Sequence, residues 1–124
     1  MTRNPDDERV EVFPLNQLRI TGQLAEKKPL RYTPAGIPVA EGRLLHQSEQ
    51  AEAGTPRQTA CAMPVLAMGE TANWLNATPL GVEVRISGFL AAKSRNSKTL
   101  VLHVQTIDFL EGKENGSILQ EEGR

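Results

Sequence analysis

The residue types and patterns that this 124-residue sequence lacks are as informative as those it contains. Cys61 is the only cysteine, so neither an intramolecular disulfide nor a cysteine cluster for zinc can form. No run reaches the roughly 18 apolar residues that a membrane-spanning helix needs. The charged residues 1–9 lead into no apolar segment of the kind that a secretory signal carries. We therefore expect a soluble, cytoplasmic protein without a membrane partner.

The sequence also lacks the residue patterns of an enzyme. His46, His103 and Cys61 are residue types that serve in nucleophilic catalysis, but no nucleophile elbow or acidic partner motif accompanies them. Residues 112–113 lack the upstream glycine and the downstream Ser or Thr of a phosphate loop. We predict a protein that is not an enzyme and has no cofactor or metal. Both histidines are predicted at rim or core positions on strands, and Cys61 in the core.

Charge is distributed unevenly along the chain. The formal net charge is −1, but residues 1–12 and 111–124 together hold eight acidic and four basic residues. This leaves ten basic and seven acidic residues for 13–110, so the ends enclose a mildly basic region. Such a region is compatible with a polyanionic partner, although many inert domains carry a similar charge. We predict one domain at 13–110, between a flexible arm at 1–12 and a flexible tail at 111–124.

Alternation of apolar and polar residues predicts five strands, at 15–24, 39–46, 59–67, 81–92 and 99–109. The clearest is the fourth, in which Val82, Val84 and Ile86 alternate with polar residues. Two segments, 26–38 and 47–57, lack this pattern and are predicted to be loops. Between the third and fourth strands, residues 70–75 favour a short helix.

This order of elements is that of the OB-fold, a five-stranded Greek-key barrel with a helix between its third and fourth strands. We therefore predict an all-β fold with one short helix, while secondary structure alone leaves an SH3-like barrel open. Gly22, Gly42 and Gly88 lie inside predicted strands and fit the tight bends of a small barrel.

Cations lie on segments that an OB-fold brings to one side, as in sites for single-stranded nucleic acid. Three of these cations lie within residues 93–98, a polar hairpin tip that contains no acidic residue. Such a tip could contact a polyanionic backbone. The alternative is a tip that serves only solubility. Lys27 on the first loop is a further cation of this track. The candidate nucleic-acid-binding residues are Lys28, Arg31, Tyr32, Arg43, Arg57, Lys93, Arg95 and Lys98.

Few rings are available for base stacking, because aromatic residues make up only 4% of the chain. Tyr32 on the first loop is the ring that we expect to be exposed. Phe89 and Phe109 are predicted to lie in the core, and Trp74 to plug one end of the barrel. Any affinity for nucleic acid should then be mostly electrostatic.

Several segments resemble one known family, in order along the chain. The segment PLRYTPAGIP at 29–38 resembles the first-loop signature of the primosomal replication protein N (PriB) family. Shorter similarities follow at 45–48, 52–54, 57–58, 61–65, 88–90 and 100–103, so that about residues 15–110 are covered. The resemblance implies an OB-fold homodimer that binds single-stranded DNA during the restart of stalled replication forks. There the family bridges the PriA helicase and the DnaT protein.

The resemblance also implies roles for individual positions. The family's DNA-contacting basic loop falls on Lys93, Arg95 and Lys98. A basic first-loop position falls near Arg31 or Tyr32. A basic residue before the third strand matches Arg57.

The chain departs from the family at three positions and in the length of one loop. Thr55 and Ala60 stand where better-studied members carry stacking aromatics, and Gln47 stands where they carry arginine. The last hairpin tip is also shorter. Two hypotheses follow: a DNA-binding accessory protein of replication, or mainly a protein–protein adaptor with marginal affinity for DNA.

Overall fold

Six strands and one helix make up residues 14–110, the part of the chain that the computed structural model describes. The helix α1 (Glu70–Ala77) lies between β4 and β5, and β1 begins and ends three residues later than predicted. The arm and tail predicted at 1–12 and 111–124 lie outside the described residues. The strands are β1 (Leu18–Lys27), β2 (Arg31–Tyr32), β3 (Pro38–Glu52), β4 (Thr55–Met68), β5 (Glu83–Ala92) and β6 (Leu100–Phe109).

The five long strands close into a barrel. Hydrogen-bonded neighbours run in the order β1–β5–β6–β4–β3, and β3 pairs with β1 to complete the circle. These pairings are antiparallel except that of β4 with β6, where Val65 lies opposite Leu102. The two-residue strand β2 extends the sheet beyond β3. The prediction of an OB-fold is confirmed, with α1 between the third and fourth long strands.

The barrel core follows from the alternation in the sequence. Leu24, Leu44, Ile86 and Leu102 come from four different strands, and each is at most 1% exposed. Leu75 is fully buried with them, so α1 packs onto the barrel through this side chain. Burying a leucine or isoleucine contributes about 1.5–3 kcal/mol to the free energy of unfolding.

Glycine allows the strands to approach closely at three positions. A Cβ atom at Gly88 would lie 1.8 Å from the carbonyl oxygen of His103, where the β5–β6 pairing is irregular. A Cβ atom at Gly22 would lie 2.2 Å from the carbonyl oxygen of Leu45, and Gly42 is similarly crowded by backbone. These glycines therefore lie where neighbouring backbones approach closely, and the prediction that they form tight bends stays a prediction.

The prediction of a loop at 47–57 is wrong. β3 continues to Glu52 and β4 begins at Thr55, so the two strands form a long hairpin that stays paired up to its turn. Ala53 and Gly54 form the turn with φ angles of 54° and 75°, the left-handed pair that suits a two-residue hairpin loop. All residues from 49 to 62 are exposed. Because neither face of the hairpin is buried at its end, residues 49–58 show no alternation to reveal a strand.

Four apolar residues are not where the sequence predicts them. Cys61 is exposed because it lies on the part of β4 that projects beyond the barrel. Phe109, at the end of β6, is 50% exposed, and Phe89 is only partly buried. Trp74 is 47% exposed rather than a plug, because α1 turns Leu75 toward the core instead.

Candidate nucleic-acid interface

Three candidate cations meet at one carboxylate, that of Glu41 on β3. Arg31 donates a hydrogen bond from Nη2 to Oε2 of Glu41 at 2.8 Å. The ammonium nitrogens of Lys28 and Lys93 lie 3.7 Å and 3.6 Å from Oε1 of the same carboxylate. Three positive charges around one negative charge leave a net positive site. We call these residues, Lys28, Arg31, Glu41 and Lys93, the Glu41 cluster.

The first loop, at 26–38, and the β5–β6 tip supply the cations of the Glu41 cluster, and backbone hydrogen bonds hold both segments. The N–H of Lys28 donates to the carbonyl oxygen of Glu41 at 2.9 Å. Arg31 lies on β2, which pairs with β3. The N–H of Lys93 donates to the carbonyl oxygen of Thr99 at 2.9 Å, across the base of the β5–β6 tip. The fold thus brings the first loop and the last hairpin together beside β3.

The Glu41 carboxylate is held in its charged form. Its pKa lies below the ordinary value, mainly because Arg31 donates a hydrogen bond to the charged group. Partial burial opposes this shift in the pKa, whereas the positive charges of Lys28 and Lys93 add to it. The Glu41 side chain is 13% exposed, while those of its three partners are 46–64% exposed. The cations therefore face solvent with the carboxylate beneath them.

A groove of about 220 Å³ continues from the Glu41 cluster along β3. Arg43, two residues farther along the same face of the strand, pairs with Glu26 of β1. Pro64, which lies opposite Arg43 on β4, lines the groove together with Val101 of β6. Cations and the partly buried ring of Pro64 therefore line one surface, while Val101 is buried beneath it. On such a surface, phosphates could contact the cations and a base could contact the proline ring.

The other candidates at the two loops are exposed. Arg95 and Lys98 on the β5–β6 tip have no acidic partner within ion-pair distance among residues 14–110. Tyr32 ends β2 opposite Pro38 and is 62% exposed, so the prediction of an exposed ring is confirmed. These three side chains are accessible to a ligand.

Two further cations lie apart from this surface or serve the fold. Arg57 lies on the projecting β3–β4 hairpin and pairs with Glu52 at 2.8 Å. The ammonium group of Lys27 donates to the carbonyl oxygens of Asn76 and Thr78 at 2.8 Å and 2.7 Å. Because these carbonyl groups end α1, the ammonium group of Lys27 stabilises the helix terminus, while the residue also lines the groove beside Lys28.

Both histidines are partly buried on strands, in line with the predicted rim and core positions. Nδ1 of His46 lies 2.7 Å from the carbonyl oxygen of Thr21, and Nε2 lies 2.7 Å from Oγ of Ser48. His46 therefore ties β1 to the root of the β3–β4 hairpin. His103 stacks on Phe89 with ring centroids 4.9 Å apart, and its Nε2 is buried without a partner among residues 14–110.

Two negative results apply to the part of the chain that the structure describes. Its helix is too short to cross a membrane. Its histidine, cysteine and acidic side chains form no group of three or more that could hold a metal ion.

The acids of this surface, Glu26 and Glu41, are the residues that sequence reasoning missed. The alternating pattern of β3 places Glu41 on the same face as Arg43, and this signal could have drawn attention to it. Its contact with Lys93 joins residues that are far apart in the sequence. That contact depends on how the barrel closes, which alternation within one strand does not report.

Comparison with known proteins relates this geometry to a family. A family model described as another single-strand binding protein family matches residues 16–106. Replication restart protein PriB of Nitrosomonas europaea is 41% identical over 105 residues, which are 85% of this chain and 95% of that protein. Replication restart protein PriB of Bordetella pertussis is 40% identical over 91 residues, which are 73% of this chain and 85% of that protein.

Solved structures agree with these relatives. The structure of PriB from Ralstonia solanacearum is 33% identical, with a TM-score of 0.70 over 77% of this chain and 97% of its own. The single-stranded DNA binding protein from Thermus aquaticus is 27% identical, with a TM-score of 0.65 over 81% of this chain and 52% of its own.

The barrel and the matched residues define a protein of the single-strand binding class. Within that class, the chain belongs to the family of replication restart protein PriB, and the resemblance seen in the sequence is confirmed. These relatives are named for replication restart and single-stranded DNA binding, and not for an enzymatic reaction.

Proposed function

We propose that this protein binds single-stranded DNA and acts as an accessory protein of the primosome that restarts stalled replication forks. The observation that carries this proposal is the net positive Glu41 cluster, where the first loop and the last hairpin meet beside β3. Arg57 lies apart from this surface, on the projecting β3–β4 hairpin, and is not included. The proposed DNA-binding residues are Lys28, Arg31, Tyr32, Arg43, Lys93, Arg95 and Lys98.

The surface is suited to a DNA backbone rather than to a particular base sequence. Its cations sit on long side chains that meet phosphates as point charges, which carry no sequence information. Tyr32 and the partly buried ring of Pro64 offer contacts that any base can make. Binding should therefore be insensitive to sequence and should weaken steeply as salt is raised.

Fluorescence anisotropy with labelled single-stranded oligonucleotides tests this proposal. Titrations with oligothymidylate and with a mixed sequence should give similar affinities. A plot of log affinity against log salt should fall with a slope of about 0.7 for each phosphate that the protein neutralises. The same sequence as a duplex serves as the control. No change in anisotropy at the lowest salt would rule out DNA binding as the function.

We extend the proposal to a bridging role between the PriA helicase and a DnaT-like primosome protein. The support for this step is membership of the replication restart family together with the resemblance of the sequence. Purified PriA and DnaT, added singly and together, should each change the sedimentation of this protein. A chain that binds neither partner, with or without DNA, has no bridging role.

A mainly protein–protein adaptor is the second candidate, and two observations favour it. Thr55 and Ala60 supply no ring for base stacking, and Gln47 supplies no positive charge. Five of the candidate cations are also paired with acids, namely Lys28, Arg31, Arg43, Arg57 and Lys93. Tight binding of PriA together with weak binding of oligonucleotides at low salt would favour the adaptor.

We also propose that the protein is a homodimer. Leu45 is 45% exposed on the outer face of β3, opposite the exposed Ala62 of β4, so apolar surface remains that a second chain could cover. Sedimentation equilibrium at micromolar concentration should give twice the 13.6 kDa mass of the chain. A mass of one chain under these conditions would remove this part of the proposal.

A further inference from the structure

The Glu41 carboxylate has the surroundings of a bound phosphate. It accepts a hydrogen bond from the guanidinium of Arg31, and the ammonium groups of Lys28 and Lys93 flank its other oxygen. A carboxylate and a backbone phosphate are both compact anions with several acceptor oxygens, and arginine binds both. The three cations that the proposed function assigns to DNA are therefore already occupied by an anion of the protein itself.

We propose that Glu41 stands in for a backbone phosphate in the free protein and that DNA must displace it in order to bind. This inference rests on the proposed function and concerns the same surface. Glu41 itself does not contact DNA in this proposal. It acts by pairing with Lys28, Arg31 and Lys93, and so lowers the affinity of these cations for DNA. The protein would thus carry its own competitor for single-stranded DNA.

The geometry allows such an exchange. Glu41 is fixed on β3, where it lies opposite Leu66 in the uninterrupted β3–β4 pairing, so the carboxylate cannot leave with a loop. The cations are long side chains that are about half exposed or more, so their charged groups can turn outward while their stems stay in place. The two lysines lie beyond hydrogen-bond distance from Glu41, and their own side chains are exposed, so neither ion pair holds its lysine firmly. Arg31 is the cation that Glu41 holds most closely.

Replacing the charge should strengthen DNA binding. In Glu41→Gln the side chain keeps its shape, but the cations lose their internal partner and a bound phosphate loses a repelling neighbour. For a unit charge and a phosphate about 4 Å apart that both stay in contact with water, the interaction is worth about a three- to tenfold change in affinity. The slope of log affinity against log salt should steepen by up to about one, since the freed cations neutralise DNA more fully.

Two control variants show whether a change in anisotropy with labelled oligothymidylate comes from the Glu41 carboxylate itself. Glu49→Gln removes the same charge from the same face of β3, at a distance of roughly 26 Å along the strand. That distance exceeds the Debye length of about 10 Å, so its affinity should match that of the wild type. Glu41→Asp keeps the charge but draws it back from Arg31. This variant should bind DNA slightly more tightly than the wild type, with the wild-type slope of log affinity against log salt.

The outcomes separate this inference from the proposed function. Tighter binding and a steeper salt slope in Glu41→Gln, but not in Glu49→Gln, support the inference. If the wild type binds and Glu41→Gln binds equally or less tightly, Glu41 positions the cations and the inference alone is overturned. If neither chain binds at any salt concentration, the proposed function is wrong and the inference falls with it. Should Glu41→Gln fail to fold, Glu41→Asp decides by the same criterion of tighter binding.

Discussion

The cations of the β3–β4 and β5–β6 hairpins differ in whether an acidic side chain lies beside them. On the β3–β4 hairpin, Arg57 is paired with Glu52 across the turn. On the β5–β6 hairpin, Arg95 and Lys98 have no acidic partner among residues 14–110, and Lys93 reaches across to Glu41. A cation counted in the sequence is thus not yet a cation available to DNA. Its availability depends on which acids the fold places beside it.

The backbones of the two hairpins differ as well, and glycine variants should show this most strongly. In Gly88→Ala, the new Cβ atom would lie 1.8 Å from the carbonyl oxygen of His103 in β6, so the backbone must move. We expect a loss of about 3 kcal/mol or more in the free energy of unfolding. In Gly54→Ala, the space is open, and only the φ of 75° is strained, at a cost of about 1–2 kcal/mol.

Chemical denaturation of both variants measures this difference. The tip of the β3–β4 hairpin would then be a tolerant extension, whereas the β5–β6 pairing is part of the barrel wall. Equal losses in the two variants would contradict this distinction between the hairpins.

Removing the charges of the β5–β6 tip should have the next largest effect, on DNA affinity rather than on stability. Changing Lys93, Arg95 and Lys98 to alanine should weaken binding to every oligonucleotide by a similar factor, about 10- to 100-fold at low salt. The salt slope should fall by about two, because each phosphate contact on a single strand contributes about 0.7. The melting temperature should stay unchanged, because the changed side chains of the tip are exposed.

A matched variant controls for net charge in this experiment. Changing Arg19, Arg57 and Arg85 to alanine removes three positive charges away from the Glu41 cluster, from β1, β4 and β5. Its affinity should stay near that of the wild type. Equal weakening in the two triple variants would mean that total charge, and not the tip, governs binding.

The same contrast explains what the sequence could and could not predict. The barrel was predictable because Leu24, Leu44 and Ile86 alternate with polar residues on strands that bury one face. The end of the β3–β4 hairpin, residues 49–58, was not, because all of these residues are exposed and no buried face imposes a period. The cations could be named from the sequence. Their joint pairing with Glu41 could not, because Lys93 comes from the β5–β6 tip and only barrel closure brings it to β3.

Protonation of Glu41 should reveal its ion pairs as a dependence of stability on pH. The hydrogen bond from Arg31 lowers the pKa of Glu41 in the folded state below that of the unfolded chain, about 4.5. Stability from this group is therefore fully present above the unfolded value, and it is lost as the pH falls through the lower folded value. Denaturation midpoints of the wild type should decline more steeply below about pH 4.5 than those of Glu41→Gln. Parallel curves would mean that Arg31 does not stabilise the charged carboxylate.

The smallest effect should come from the β3–β4 hairpin, in Arg57→Ala. Arg57 and Glu52 are both more than half exposed, and an ion pair of this kind contributes about 0–1 kcal/mol to stability. Arg57 lies opposite Gln50, which is seven residues from Arg43 along β3, roughly 23 Å. This exceeds the Debye length of about 10 Å. We therefore expect less than about a twofold loss of DNA affinity and an unchanged salt slope.

Lys98→Ala is the matched single variant on the other hairpin, and anisotropy at two salt concentrations compares the two. It removes one cation with no acidic partner among residues 14–110, so the salt slope should fall by about 0.7. Glu52→Gln completes the comparison, because it frees Arg57 from its pair without removing a cation. If Arg57→Ala weakens binding as much as Lys98→Ala does, DNA extends onto the projecting hairpin. The ion pair with Glu52 then opens on binding, and pairing in the free protein does not withhold a cation from DNA.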